Sequence, residues 1–289
     1  MDRKHVLISA VAGLSGALVA VSLLKRERHT AGRPWPVNLA HRGASALAPE
    51  NTLQAFRLAV EAGAGGLELD VRTTSDGEVV VIHDATVDRV TDGSGAVAGM
   101  TLEEVRQLDA GYNFSPDGGR SFPYRGREVR IPTLAEIYEE FPETRVNADI
   151  KEAQPGAEEA VFDVIHEAAA EGRSLVASVD HAVLRRFRKV SGGRVSTGAS
   201  RREIAAFYAL SRLRLEALLS PAYVALQVPV EHWGIRLVTP RFVRAAHSSG
   251  VRVDVWTIND AAEMRRLLDL GVDVIMTDRP EVLQSLLDR

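Results

Sequence analysis

The stretch GLELDVRTTSDGEVVVIHD (residues 66–84) decides the fold of this 289-residue chain. Its two apolar runs, Gly66–Val71 and Val79–His83, predict two strands joined by a turn at Asp76. The residues between them, Arg72–Glu78, are too few for a parallel crossover, which needs about a dozen residues or more. We therefore expect the second run to fold back antiparallel on the first and to form a short hairpin arm.

Outward from this arm, strand and helix patterns alternate along the chain. Seven more apolar runs predict strands at Val37–Ala40, Arg145–Ile150, Leu175–Val179, Arg194–Thr197, Tyr223–Gln227, Arg252–Trp256 and Asp273–Met276. Helical patterns lie between them at Leu53–Ala62, Ala157–Glu171, Ala182–Val190, Arg202–Leu219, Arg241–Ser248 and Ala261–Leu270, and capping boxes at Thr101 and Thr133 open two more helices. Such alternation predicts an α/β fold with a parallel sheet. Apart from the arm, eight parallel strands fall within residues 37–289, about the usual size of a (β/α)₈ TIM barrel.

The first 36 residues read as a separate region. Val6–Leu24 carries no charge and is flanked by basic residues on both sides. Its length suits a single membrane-spanning helix, and the alternatives are a cleaved signal peptide or a buried soluble helix. Glu27–Pro36 reads as a linker. We therefore predict a protein that is membrane-anchored by this N-terminal hydrophobic helix or exported; the side of the membrane stays open, because the basic residues on the two sides differ by only one.

The composition excludes several classes of function. Hydrophobic residues make up 45% and charged residues 26% of the chain, as in soluble globular domains. The net charge of −4 offers no broad positive field, so we expect no nucleic-acid partner. The sequence has no cysteine, which excludes disulfides, thiolate zinc sites and cysteine nucleophiles. It also lacks a P-loop, a dinucleotide fingerprint and a Gly-x-Ser-x-Gly elbow.

Ionisable side chains gather at the C-terminal ends of the first four predicted strands. They are His41 and Arg42, Glu68 and Asp70, His83 and Asp84, and Asp149 and Lys151. Glu68 and Asp70 lie two residues apart on one strand, so both point to the same face, which is the interior in a parallel barrel. Two buried anions are costly unless they are paired or bind a cation. Carboxylates without thiolates favour one Mg²⁺ or Ca²⁺ ion, with Asp149 as a third ligand; ion pairs with Arg42 or Arg72 are the alternative.

Two histidines beside such a cation suit a phosphodiesterase. An imidazole titrates near neutral pH, so His41 and His83 can act as general acid and general base. The cation, Arg42 and Lys151 would neutralise the charge that develops on a phosphodiester.

At these residues the sequence resembles the glycerophosphodiester phosphodiesterases. The matching segments, in order, are AHRGASALAPENTLQAF (40–56), GLELDV (66–71), DGEVVVIHDATVDRVTDGSG (76–95), MTLEEVRQLDAG (100–111), IPTLAEI (131–137), VNADIKE (146–152), VDVWTIND (253–260) and GVDVIMTDRP (271–280). The resemblance implies a TIM barrel with a segment inserted after the His83-Asp84 motif. That insert is small here, Ala85–Arg130, which would leave the alcohol side of the substrate open.

The resemblance also implies a role for each matching site residue. His41 and His83 would be the acid–base pair, and Glu68, Asp70 and Asp149 the metal ligands. Arg42 and Lys151 would contact the phosphate, and Trp256 would form a wall on the substrate side. Glu50 would belong to the substrate site, where it orients the first histidine or the metal shell. The chain departs from the family at Asp149, where a glutamate is common, and this leaves the identity of the metal open.

The resulting hypothesis is hydrolysis of a glycerophosphodiester to glycerol 3-phosphate and an alcohol. Water or the substrate's own glycerol hydroxyl would attack, and which histidine acts as base stays open. The alternatives are a membrane-tethered lysophospholipase D, a catalytically silent phosphodiester-binding module, and a structural ion-pair network in a membrane-tethered scaffold. The expected partners are a small glycerophosphodiester or lysophospholipid and, through the N-terminal helix, a membrane.

Overall fold

The computed structural model describes residues 35–151 and 156–289. In that part of the chain the strands are β1 (Asn38–His41), β2 (Gly66–Thr73), β3 (Val79–Val81), β4 (Arg145–Ile150), β5 (Ser174–Ala177), β6 (Ser196–Thr197), β7 (Ala225–Val228), β8 (Glu231–His232), β9 (Ile235–Arg236), β10 (Arg252–Val255) and β11 (Val274–Thr277). The helices there are α1 (Leu53–Glu61), α2 (Leu102–Arg106), α3 (Leu134–Glu140), α4 (Ala157–Glu167), α5 (His181–Val190), α6 (Arg201–Leu213), α7 (Pro240–Ser248), α8 (Ala261–Leu270) and α9 (Pro280–Leu287).

Eight parallel strands form a nearly closed barrel in the order β6-β5-β4-β2-β1-β11-β10-β7. The remaining seam lies between β6 and β7. There Gly198 forms a parallel bridge with Ala225, and the Val224 amide donates to the Thr197 carbonyl at 2.9 Å. The predicted (β/α)₈ TIM barrel is therefore confirmed.

The hairpin arm is also confirmed. β3 pairs antiparallel with the far end of β2, with Val71 opposite Val81 and Thr73 opposite Val79. The turn between them contains Gly77, whose φ of 87° is a backbone conformation that glycine adopts without strain. A separate small core joins the arm to the insert; its buried members are Val80, Ile82, Val87, Val97, Val105, Ala110, Val129 and Ile131. The arm and the insert therefore pack together around this small core.

Alternation along the strands divides the barrel into two apolar regions. On β2, Leu67, Leu69 and Val71 face outward into the core shared with the helices. The inward-facing residues at the N-terminal end of the barrel include Leu39, Leu175, Ala225, Val274 and Met276, with Trp35 packed against them. Trp35 and Pro36, which the sequence assigns to a linker, therefore belong to the compact unit Trp35–Arg289.

Several boundaries differ from the sequence-based expectation. Helix α6 ends at Leu213 rather than Leu219, because Arg214 takes a left-handed conformation with φ 61° and closes the helix. Helix α9 and the two-stranded hairpin β8–β9 were not predicted. The hairpin turns at Trp233 and Gly234, both with positive φ, and such a tight turn is difficult to recognise without a preceding Asn or Asp.

The predicted membrane anchor or signal segment, Val6–Leu24, lies outside the described residues. Among the residues that are described, no helix combines the length and the apolar character needed to cross a bilayer.

Candidate active site

Three carboxylates meet inside the C-terminal end of the barrel. Strand register places Asp70 on β2 beside Asp149 on β4, and Glu68 beside Asn147. One carboxylate oxygen from each of Glu68, Asp70 and Asp149 lies within 4.8 Å of the others. Period-two alternation turns all three inward, so this cluster forms as the sequence predicts.

Positive charge compensates the cluster only in part. Lys151 Nζ lies 2.9 Å from Asp70 Oδ1 and 2.6 Å from Asp149 Oδ2, and Arg42 Nε lies 3.0 Å from Asp70 Oδ2. The Asn51 amide also donates to Asp70 Oδ2 at 2.9 Å. In contrast, Asp149 Oδ1 is buried and accepts no hydrogen bond from the described residues. The ion pairs considered from the sequence are therefore present through Arg42, but they leave acceptor capacity unfilled.

The pKa values of the three carboxyl groups show the same imbalance. Burial, together with the neighbouring Asp70 charge, raises the pKa of Glu68 to about 7. Burial also raises the pKa of Asp149. Burial acts in the same direction on Asp70, but Lys151 and Arg42 outweigh it and lower the pKa of that carboxyl. Clustered carboxylate oxygens with an unfilled acceptor fit a hard divalent cation, which would favour ionisation of all three groups.

His41 faces this cluster from the end of β1. Its Nδ1 lies 2.7 Å from Asp278 Oδ1, and its Nε2 lies 4.0 Å from Glu68 Oε2. Asp278 is held in turn by the Ser45 hydroxyl at 2.8 Å and the Asn259 amide at 2.6 Å. Burial disfavours the imidazolium, but Glu68 and Asp278 outweigh that effect and raise the pKa of His41. With Nδ1 engaged by Asp278, Nε2 is directed toward the carboxylates.

His83 approaches from the arm. Its Nδ1 lies 2.6 Å from Asp84 Oδ1, and the Arg72 guanidinium donates to its carbonyl at 3.0 Å. Burial opposes ionisation of Asp84, but hydrogen bonds from Arg89 and His83 lower its pKa to about 2. The Ile82 amide, one residue before His83, donates to the Asp70 carbonyl at 2.8 Å, so His83 follows a backbone contact with the strand that carries two of the carboxylates. The hairpin thus returns His83 to the cluster, as the spacing predicts.

The loop after β1 positions Arg42. Arg42 has φ 56°, and its amide donates to Glu68 Oε2 at 3.1 Å. Gly43 follows with φ 84°, and a Cβ there would lie 2.7 Å from the Ala55 backbone of α1. Only glycine fits this approach, which explains the His-Arg-Gly sequence.

Glu50 and Trp256 lie at the edge of the site. Glu50 accepts from Arg42 at 3.0 Å and from two nitrogens of Arg89 at 2.7 and 2.9 Å. These bonds tie Glu50 to the two arginines, and in the described residues Glu50 forms no hydrogen bond or ion pair with His41 or with the three carboxylates. Trp256 follows β10 on the rim, where its side chain is 40% exposed.

Sequence reasoning assigned no role to several residues that position these groups. They are Ser45, Asn51, Asp84, Arg89, Asn259 and Asp278. Asp278 carries a signal that was available, because it directly follows the last barrel strand just as Lys151 follows β4. Asn51 gave no such signal, since it precedes the Thr52 helix cap and reads as part of it.

Known proteins resemble this chain in both sequence and fold. The model of the glycerophosphoryl diester phosphodiesterase family matches residues 41–282. The glycerophosphodiester phosphodiesterase of Caldanaerobacter subterraneus is 38% identical over 255 residues, covering 86% of this chain and 96% of that protein. A probable glycerophosphodiester phosphodiesterase of Mycobacterium tuberculosis is 32% identical, covering 87% of this chain and 90% of that protein.

Two solved structures extend the likeness to the whole barrel. The glycerophosphoryl diester phosphodiesterase domain of an uncharacterized Mycobacterium tuberculosis protein superposes with a TM-score of 0.78 at 25% identity, covering 87% of this chain and 99% of that one. An Oleispira antarctica phosphodiesterase, solved with the product sn-glycerol-3-phosphate, gives a TM-score of 0.70 at 28% identity, covering 88% of this chain and 98% of that one.

Proposed function

Because the chain belongs to the glycerophosphoryl diester phosphodiesterase family and is a glycerophosphodiester phosphodiesterase, we propose a metal-dependent hydrolysis in which His41 and His83 are the acid–base pair. The products would be sn-glycerol 3-phosphate and an alcohol, in keeping with the product bound to the Oleispira phosphodiesterase. One observation carries the proposal: three carboxylates lie within 4.8 Å of one another, and each neighbouring histidine is held through Nδ1 by its own aspartate.

Glu68, Asp70 and Asp149 would hold one divalent cation, Mg²⁺ or Ca²⁺. When bound, the cation would neutralise phosphate charge and favour attack on phosphorus. Asp149 Oδ1, which is buried and accepts no hydrogen bond from residues 35–151 or 156–289, supports this assignment, because an unpaired buried acceptor is costly.

The two histidines would divide the proton transfers. Asp278 and Asp84 engage Nδ1 of the two rings, so Nε2 of each is the nitrogen that can exchange a proton with the substrate. One ring would take the proton of the attacking hydroxyl, and the other would protonate the alcohol oxygen as its bond to phosphorus breaks. Arg42 and Lys151, which lie beside the cluster, would contact the phosphate oxygens.

Identification of the products tests this proposal. Purified protein with Mg²⁺ or Ca²⁺ is incubated with glycerophosphocholine, and the products are separated. Release of choline and sn-glycerol 3-phosphate is expected. Release of phosphocholine and glycerol would contradict the assigned bond cleavage, and saturable metal binding without turnover would favour the silent binding module.

A lysophospholipase D activity is the second candidate, favoured by an apolar rim. Trp233, on the turn of β8–β9, is 92% exposed, and Ile235 on the same hairpin is 51% exposed. The hairpin follows β7, and the Trp256 amide donates to the Val228 carbonyl at the end of that strand. We expect Trp233→Ala to raise KM for lysophosphatidylcholine micelles but not for glycerophosphocholine, with Leu218→Ala as the exposed control. Equal effects on both substrates would contradict a lipid-contacting hairpin.

We further propose that Val6–Leu24 brings the enzyme to a membrane, as an anchor or as an export signal. Membrane fractionation of the full chain and of residues 35–289 tests this. The full chain is expected in the membrane or outside the cell, and the shorter chain in neither. Identical distribution would contradict the proposal.

A further inference from the structure

A second concave site lies on the rim of the barrel, separate from the carboxylate cluster. It has a volume of about 330 Å³, which is at the lower end of the range of small-ligand sites, about 300–1,000 Å³. Its lining includes Val179, Asp180 and His181 at the start of α5, Arg185 one turn further, and Arg201 and Arg202 at the start of α6.

The cavity opens at the same end of the barrel as the active site. Asp149 of β4 is in register with Ala177 of β5, and the Ser178 hydroxyl donates to the Ile150 carbonyl at 2.8 Å. Continuing that register places Val179 level with Lys151. The cavity thus begins one strand away from the ammonium group that pairs with Asp149.

The lining carries an excess of positive charge. Three exposed arginines and one carboxylate, Asp180, line the cavity, and Asp180 already accepts from the Ala182 amide at 2.6 Å. Within the described residues, none of these three arginines forms an ion pair. Nearby Glu203 offers no compensation, since Arg188 pairs with it at 2.7 Å.

Most arginines around the active site behave differently. Arg42 and Arg89 are each tied to carboxylates, and so is Arg188 on the other side of α5. Arginines that line one cavity and form no ion pair with the described residues suit an oxyanion, because the planar fork of arginine matches phosphate oxygens in a bidentate manner.

We propose that Arg185, Arg201 and Arg202 bind a second phosphate, carried by the alcohol part of the substrate. This inference rests on the proposed function, because it assumes a glycerophosphodiester at the carboxylate cluster. The subsite makes the enzyme prefer alcohols that carry a phosphate over neutral alcohols, and it disfavours cationic alcohols such as choline by repulsion.

A matched pair of substrates tests the subsite. The substrates are glycerophosphoglycerol and glycerophosphoglycerol phosphate, which differ only in the terminal phosphate. The proteins are the wild type, the variant R185Q/R201Q/R202Q and the control variant R212Q/R244Q/R265Q, which removes three exposed arginines outside the cavity lining, from the last turn of α6, from α7 and from α8. For the wild type we expect a KM about tenfold lower for the phosphorylated substrate, from one charged hydrogen-bonded contact of ordinary strength.

The cavity variant is expected to lose this difference in KM while kcat for glycerophosphoglycerol stays unchanged, and the control variant is expected to keep it. Equal wild-type KM values for the two substrates, or equal losses in both triple variants, would overturn the proposal. Calorimetric binding of the phosphorylated substrate in a His41→Ala background gives a reading that needs no turnover. Failure of the wild type to hydrolyse either substrate would refute the proposed function alone, and the calorimetric comparison would still decide the subsite.

Discussion

Two sectors of the same barrel interior bury carboxylates, and they do so in different ways. On β10, Asp254 is fully buried, and Arg252 contacts both of its oxygens at 2.8 and 3.2 Å. Gln227 adds a third donor at 3.3 Å. On β2 and β4, three carboxylates share Lys151 and Arg42, and Asp149 Oδ1 accepts no hydrogen bond from the described residues.

The two sectors differ in the hydrogen bonds that their carboxylates accept more clearly than in the pKa values of those carboxyl groups. Burial raises the pKa of Asp254 as well as those of Glu68 and Asp149, so a raised pKa marks a buried carboxyl of either kind. In the described residues, both oxygens of Asp254 accept hydrogen bonds. The sector around Asp149 offers clustered carboxylate oxygens to a cation, and it is the one next to His41 and His83. A shortage of partners therefore marks the functional side of this barrel.

The largest expected effect is on turnover. His41→Ala and His83→Ala should each lower kcat for glycerophosphocholine by about 10²–10⁴-fold, the usual contribution of a positioned acid or base. His247→Ala is the control, because that ring pairs with Asp273 at the surface. Near-wild-type kcat in both site variants would contradict the conclusion that the sector with Glu68, Asp70 and Asp149 is the functional one.

The second effect is on stability and should run in opposite directions in the two sectors. Asp254→Asn should lower the free energy of unfolding by about 3–5 kcal/mol, because it leaves Arg252 without its ion-pair partner. Glu68→Gln should raise the stability of the metal-free protein at pH 8, because it removes a poorly compensated buried charge. Urea denaturation measures both, and destabilisation of similar size in both variants would contradict the comparison.

The third effect is a pH dependence of the metal-free protein. The pKa of Glu68 is raised from 4.5 to about 7 in the folded state, so the folded protein holds this proton at pH values where the unfolded chain has lost it. The Glu68 contribution to folding should therefore weaken as pH rises from 4.5 to 7, by about 3 kcal/mol over that window. The difference in free energy of unfolding between the wild type and Glu68→Gln isolates this contribution. A difference that stays flat across this window would show that Glu68 ionises normally.

A smaller effect on kcat is expected from Asp278, the hydrogen-bond partner of His41. Asp278→Asn should lower kcat by about 10–100-fold, a size typical of lost positioning contacts, because the ring loses the carboxylate on Nδ1. Asp278 also raises the pKa of His41, so the limb of the pH–rate profile that reports this group should move to lower pH. Asp273→Asn, beside the surface His247, is the matched control. An unchanged profile would mean that Asp278 has only a structural role.

The smallest effect is expected at Glu50. Glu50→Gln should raise KM about fivefold with little change in kcat, because Arg42 loses one charged contact but keeps Asp70. Glu140→Gln, which breaks an exposed pair with Arg57, should leave both constants unchanged. A larger loss of kcat than of KM would instead place Glu50 in the chemistry.

The sequence was most informative where local rules decide the geometry. The short spacing between β2 and β3 allows only a hairpin, and period two turns Glu68 and Asp70 inward together. Capping boxes marked the starts of α2 and α3 for a similar local reason. These features needed no knowledge of distant contacts.

Contacts across the barrel were harder to predict. Asp278 meets His41 over 237 residues of chain, and Arg89 reaches Glu50 from the insert. The end of α6 and the turn of β8–β9 depend on single residues in the left-handed region, Arg214 and Trp233, whose type does not favour it. Tertiary packing determines these conformations and long-range contacts, so one sequence alone does not reveal them.

The metal dependence of turnover tests the central claim most directly. The protein is stripped with a chelator, its metal content is checked by elemental analysis, and glycerophosphocholine hydrolysis is followed as Mg²⁺ or Ca²⁺ is added back. We predict negligible turnover without metal and saturable recovery with a single class of site, which Asp149→Asn weakens and Asp254→Asn preserves. Full turnover in verified metal-free protein would contradict the account.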